Sequence, residues 1–204
     1  MKADYIKPSI YNRVYRYMTY ENALVLRLSL ETGLRVGDCL KVKCEDISGR
    51  TLKFTAEKTD KPGKKILSAA LVKELIRNGN GKGYCFKHRT DPNRHRTRQT
   101  VSAAVKKAAE RAGIAGHISP HSARKTYGVK IFHDKGMNAA QAELQHDRLD
   151  TTMLYVFSDL LTGQDGTKSS AEINYSTLAN AAYEGCKRAL TEFFKNSELT
   201  NSRK

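Results

Sequence analysis

At 204 residues with 39% hydrophobic content, the chain has the length and apolar share to bury the core of one ordinary domain, which excludes a disordered chain. No run approaches the roughly 18 apolar residues of a membrane span, and no charged start leads into the apolar stretch of a signal peptide. The net charge is +15, and it is local: residues 50–130 hold 20 Lys and Arg against 5 Asp and Glu, while the remainder holds 16 of each.

A local excess of one sign is what a surface tracking a phosphate backbone requires; a merely solvated face mixes both signs. The four cysteines, Cys39, Cys44, Cys85 and Cys186, are scattered with no CxxC pair. This argues against a disulfide framework or a metal site and predicts a reducing, cytoplasmic setting.

Residues 1–18 are basic and tyrosine-rich without a clear period, and read as a lead-in or linker. Thr19 is the predicted N-cap of a largely buried helix carrying Ala23, Leu24, Leu26, Leu28 and Leu30, with Glu21 in its first turn and Gly33 at its end. A short second helix is expected over 35–40. The period then changes: residues 51–56 alternate as a strand does, Lys64 to Leu67 returns beside it, and Lys61-Pro62-Gly63 is turn chemistry between them. Ser68 caps a helix to about Arg77, and Gly79-Asn80-Gly81 ends it. Tyr84-Cys85-Phe86 reads as a third short strand, followed by a basic loop holding Lys87, Arg89, Arg94, Arg96 and Arg98.

From Thr97 onward the pattern is mostly helical. Val101, Ala104, Val105 and Ala108 make one apolar stripe ended by Gly113, and Pro120 suits the first turn of a helix running to about Asp134 before Gly136. Asn138 is the predicted cap of a short helix to Leu144, and Asp150 that of one carrying Tyr155. After a break at Gly163 to Gly166, a last amphipathic helix is expected over 176–195. The fold class is therefore α+β, mainly helical with a small antiparallel sheet. The predicted division is 1–18, a catalytic unit over 19–165, and a helical extension over 166–204.

The chemistry concentrates between His121 and Tyr155. His121 and Arg124, three apart on a helix, share one face. His146 and, nine residues later, Tyr155 can be folded back towards it. Cations, proton carriers and a phenol together suggest phosphoryl transfer without a metal. Singly, each has an ordinary reading: a surface arginine, a structural histidine, a packed tyrosine with a wet hydroxyl. Lys61, Lys64 and Lys65 also compete with Lys58 for one role. Their joint occurrence in order outweighs those readings.

With Thr32-Gly33-Leu34-Arg35-Val36-Gly37-Asp38 and Glu57-Lys58-Thr59, these residues resemble the tyrosine recombinases of the phage-integrase family, from about Thr19 to Val156. The resemblance implies that family's catalytic core and its DNA strand exchange. Tyr155 would be the nucleophile, Arg35 and Arg124 would grip the phosphate, and Lys58 would be the general acid. His121 would assist proton transfer and His146 would hydrogen-bond the phosphate, with Asp38 orienting an active-site cation. Lys125 stands where a histidine is frequent and adds charge, and Gln145 replaces the usual glycine. Lys61, Lys64, Lys65, Arg94, Arg96 and Arg98 are the expected DNA contacts.

No cofactor or metal is implied. The expected partners are double-stranded DNA and further copies of the chain assembled on it, with no membrane. Only 34 residues precede Arg35, so the chain is expected to be either a catalytic part of a longer protein or a minimal recombinase, with weaker DNA binding than a two-domain relative. A type IB topoisomerase-like nicking enzyme and a non-catalytic basic nucleic-acid-binding module are the competing readings.

Overall fold

The computed structural model describes residues 4–144, the side chain of Met137 excepted. His146, Asp150, Tyr155, the Gly163 to Gly166 break and the helix expected over 176–195 lie outside the described residues.

The central element is α2 (Tyr20–Thr32), preceded by the short α1 (Tyr11–Tyr15). Thr19 precedes α2 in extended conformation, and Glu21 lies in its first turn. Leu24, Val25, Leu26 and Leu28 are fully buried, so the helix is covered on nearly every side. Gly33 ends it at φ +73°, a left-handed conformation that side chains disfavour. The turn into α3 (Val36–Lys41) is held by buried hydroxyls. Ser29 Oγ donates to the Leu34 carbonyl at 2.8 Å. Thr32 Oγ1 donates to the Leu28 carbonyl at 2.6 Å and accepts from the Leu34 N–H at 3.3 Å. Arg35 therefore leaves a braced corner as the N-terminal residue flanking α3.

Three antiparallel strands follow in the order β1 (Ile47–Ser48), β2 (Thr51–Thr55) and β3 (Pro62–Ile66). Leu52 stands opposite Lys65, and Thr55 opposite Pro62. The hairpin turn is thus not Lys61-Pro62-Gly63, as the residue types suggested, but the preceding 57–60. There the Ala56 carbonyl accepts the amides of Thr59 and Asp60, and Asp60 takes φ +52°. Pro62 is accommodated because β3 is an edge strand, where a missing N–H does no harm.

The third strand is β1 and not Tyr84-Cys85-Phe86. Tyr84 makes a single bridge to Lys43, and Cys85 and Phe86 are buried in the core. Their apolarity encoded burial rather than strand pairing. The two residues of β1 are too few to show a period.

Beyond the sheet, α4 (Ala69–Asn78) begins at Ser68, whose Oγ accepts the Leu71 N–H at 3.3 Å. It is tied to α2 by the forked Arg27–Glu74 pair. Helix α5 (Arg98–Arg111) is capped by Thr97 and buries Val101, Val105 and Ala108. Helix α6 (Pro120–Lys135) has Pro120 in its first turn and is buried continuously from Ser122 to Val129. Helix α7 (Met137–Glu143) starts directly at Gly136, φ +83°, so Asn138 lies within the helix instead of capping it. Glycine lets the chain reverse at once, with no capping residue between.

Helix α2 packs on α3, α4, α5 and α6 around the main core, while Tyr127, Val129, Ile131, Ala140 and Leu144 form a second cluster between α6 and α7. The segment read as a basic lead-in adds Ile6, Tyr11 and Val14 to the interior, and Tyr11 Oη hydrogen-bonds Thr126 Oγ1 at 3.1 Å. No helix among the described residues is long and apolar enough to cross a membrane.

Candidate active site

Three separate pieces of chain converge on one cleft. The α2–α3 corner delivers Arg35 and Asp38, the β2–β3 turn delivers Lys58, and the first turns of α6 deliver His121 and Arg124. The cleft encloses about 440 Å³ and is also lined by Glu57 and Arg98. A cavity of about 490 Å³ opens on the other side of Asp38, over Lys41, Lys53, Phe54 and Lys64. It contains no guanidinium, whereas the smaller cleft is lined by three, those of Arg35, Arg98 and Arg124.

Sequence order alone explains why α6 can carry its share. Ser119 Oγ accepts the His121 N–H at 3.3 Å, and Ser122 Oγ accepts the Ser119 N–H at 3.3 Å, a reciprocal cap that fixes the first turn. Three residues on, Arg124 lies deep, at 3% exposure. Its Nη1 donates to the Gly33 carbonyl and its Nη2 to the Leu144 carbonyl. A guanidinium has five N–H donors, so one planar group lines the cleft while joining the α2–α3 corner to the end of α7. The corner that carries Arg35 is thereby positioned by the second arginine of the pair.

His121 stands at the cleft mouth. Desolvation against the cleft wall, and then the positive charges of Arg124, Lys125 and Arg35, push its pKa down to about 4. The imidazole is therefore neutral near pH 7, and the same surroundings disfavour its protonated form. Lys125 itself is buried and outside the cleft lining; it reaches the site through this field.

Asp38, 4% exposed, meets the backbone of the Lys58 turn. Its Oδ1 accepts the backbone N–H of Glu57 at 2.9 Å, which anchors the turn one residue before Lys58. Glu57 in turn reaches Lys41, 3.5 Å away. Helix α3 runs close to the turn at Gly37, where an added Cβ would stand 2.8 Å from Glu57 Oε2, the end of a side chain free to shift. Asp38→Ala is expected to slow any chemistry that uses Lys58 by about 10- to 100-fold through misplacement, with DNA affinity little changed. Asp38→Asn, which keeps the acceptor, should recover most of it. Equal losses in both variants would show that the charge and not the hydrogen bond matters.

The basic residues divide by geometry. Lys58 alone of the five hairpin lysines lines the cleft with the arginines. Lys61 and Lys64 are exposed, as is Arg94. Lys65 and Arg96, expected as DNA contacts, are committed within the protein. Lys65 pairs with Glu143, and Arg96 Nη1 donates to Asn22 Oδ1 at 3.2 Å with Glu21 3.7 Å from Nη2. In an alternating strand and a folded-back loop, some cations face inward, which spacing does not reveal. Arg98, grouped by sequence with the loop, is the first residue of α5 and enters the cleft. His146 and Tyr155 belong to the undescribed part.

The chain is 27% identical over 151 residues to the tyrosine recombinase XerD of Mycobacterium tuberculosis, covering 68% of this chain and 48% of that protein. It is also 27% identical to the integrase of Escherichia phage P2, covering 66% of this chain and 37% of that protein. It thus spans about half the length, or less, of these relatives. In three dimensions it is similar to a lambda integrase dimer bound to a core site, with TM-score 0.67, 17% identity, and coverage of 84% of this chain and 52% of that one. The catalytic domain of bacteriophage HP1 integrase gives TM-score 0.59 and 18% identity, covering 77% and 89%. The phage integrase family model matches residues 5–160, more than half of the chain and every element that builds the cleft, and the chain belongs to that family.

Proposed function

We propose that the chain is the catalytic part of a site-specific DNA recombinase that breaks and rejoins strands through a 3′-phosphotyrosyl link, with neither metal nor ATP. The observation that carries this is the convergence of Arg35, Lys58, His121 and Arg124 on one cleft from three elements distant in sequence. A phosphodiester gathers negative charge as it is attacked. Two guanidiniums remain charged throughout and grip its non-bridging oxygens, stabilising the transition state more than the ground state.

In this reading the Tyr155 oxygen forms the new bond to phosphorus and the bond to the 5′ oxygen breaks. His121 assists the transfer of the phenol proton, Lys58 protonates the leaving 5′ oxygen, and His146 hydrogen-bonds the phosphate. The link conserves the energy of the broken bond, so religation is the same step reversed. Arg98 supplies a further phosphate contact inside the cleft, and Lys61, Lys64 and Arg94 contacts around it. The fold relatives include a lambda integrase tetramer bound to a Holliday junction, which supports double-stranded DNA and further copies of this chain as partners. A cytoplasmic setting accords with such a substrate.

The test is covalent trapping on supercoiled plasmid in EDTA, quenched with detergent. Wild type is expected to give protein-linked nicks, and Tyr155→Phe none while still binding DNA. Adducts that survive in Tyr155→Phe, or that need an added divalent metal, would overturn the proposal.

A further inference from the structure

The end of α7 is gripped by two cations from separate elements. Lys65 Nζ donates to the Glu143 carbonyl at 2.9 Å and pairs with the Glu143 carboxylate. Arg124 Nη2 donates to the next carbonyl, that of Leu144. Tyr127 Oη completes the cluster by donating to Glu143 Oε2 at 3.1 Å, and its ring centroid lies 5.2 Å from Lys65 Nζ. The last carbonyls of a helix have no partner within it, and the helix dipole concentrates negative charge there, so cations are the fitting ligands.

The two cations come from places that matter. Lys65 is on β3, the strand returning from the Lys58 turn, and Arg124 lines the cleft. From Leu144 the sequence leads to His146 two residues later. We propose that Lys65 is a positioning residue for the strand-cleavage step: with Arg124 it clamps the Glu143 and Leu144 carbonyls, and so couples the hairpin carrying Lys58 to the chain entering the His146–Tyr155 segment.

Lys65 is suited to this and unsuited to touching DNA. Its side chain is only 11% exposed, and burial lowers its pKa, with Glu143 opposing the shift. The leucine paired with it across the sheet, Leu52, is fully buried. A lysine facing inward from an edge strand is held there by its partners, and its partners here are the end of α7.

The inference rests on the proposed recombinase reading for its catalytic consequence but not for the clamp itself, and two measurements on the full chain separate them. The first is amide hydrogen exchange without DNA, comparing peptides over 140–146 with peptides from α2 and α5. Lys65→Met is expected to speed exchange over 140–146 by about tenfold or more, since the Glu143 carbonyl and carboxylate both lose a charged donor, while the other two helices stay within about twofold. The second is the rate of adduct formation on supercoiled plasmid at saturating protein, beside DNA affinity. The rate is expected to fall about tenfold or more, with affinity within about twofold.

Glu143→Ala leaves the carbonyl but removes the carboxylate that holds the Lys65 ammonium at the helix end; it should give the same pattern in weaker form and carries the test if Lys65→Met does not fold. Unchanged exchange over 140–146 would overturn the clamp. Loosened exchange with an unchanged adduct rate would overturn the positioning role. Affinity falling in step with the rate would make Lys65 a DNA contact instead. Absence of adducts in wild type would count against the recombinase reading, and the exchange result would still decide the clamp.

Discussion

Arg124→Lys is expected to lose stability and catalysis together. The guanidinium holds the Gly33 and Leu144 carbonyls at once, and both lie against buried residues. A lysine ammonium on a single stem reaches one of them. The other carbonyl is left buried without a donor, at a cost of about 1–3 kcal/mol. For a chain of this size that lowers the thermal midpoint by roughly 2–12 °C. The phosphate site loses its planar fork as well, and removing one such transition-state donor slows the step by about 10²–10³-fold. Calorimetry beside adduct formation checks both. Normal stability with lost adducts would mean that Arg124 serves the phosphate alone and that the two carbonyls find other donors. Lost stability with normal adduct rates at low temperature would remove Arg124 from the chemistry.

Gly33→Ala is expected to be the most damaging small substitution in the described fold. At φ +73° an alanine is strained wherever there is room for it, and here there is none: its Cβ would stand 2.3 Å from Cδ1 of Tyr127 and 2.6 Å from Cε1. The ring is 7% exposed and belongs to the α6–α7 cluster, so it cannot swing aside cheaply. Strain and overpacking together come to about 2–4 kcal/mol, or roughly 4–16 °C in thermal midpoint. The damage spreads along identifiable contacts. The Gly33 carbonyl holds Arg124, Arg35 is two residues further on, and the Tyr127 hydroxyl holds Glu143. Adduct formation should fall even at temperatures where the variant stays folded. A midpoint within 2 °C of wild type, a shift of about 1 kcal/mol or less, would show that the ring relaxes freely.

Helices α2, α4, α5 and α6 were readable from the sequence because their signals are local. The Ser68 cap, Pro120 in a first turn, Gly33 at a helix end, and the Val101–Val105–Ala108 stripe each act within a few residues. The hairpin was readable as a change of period, though its turn was misplaced because Pro62 and Gly63 carry turn chemistry into an edge strand that tolerates them. The order and spacing of Arg35, Lys58, His121 and Arg124 likewise follow from the chain alone, and with them the family.

What the sequence by itself determined, then, was the set of elements and the kinds of side chain available for a phosphate. Only the tertiary structure decided which atoms those side chains meet. Asp38 serves a backbone amide 19 residues away, and Arg124 joins carbonyls 91 and 20 residues away. Lys65 turns inward to Glu143, 78 residues on, while Lys58 faces the cleft. A periodic pattern records which face of an element is buried, but not what lies against it. A lysine reads the same in sequence whether its ammonium meets solvent, a phosphate or a carboxylate. That choice is made by packing between distant segments, where burying a charge is tolerable only beside a partner that satisfies it.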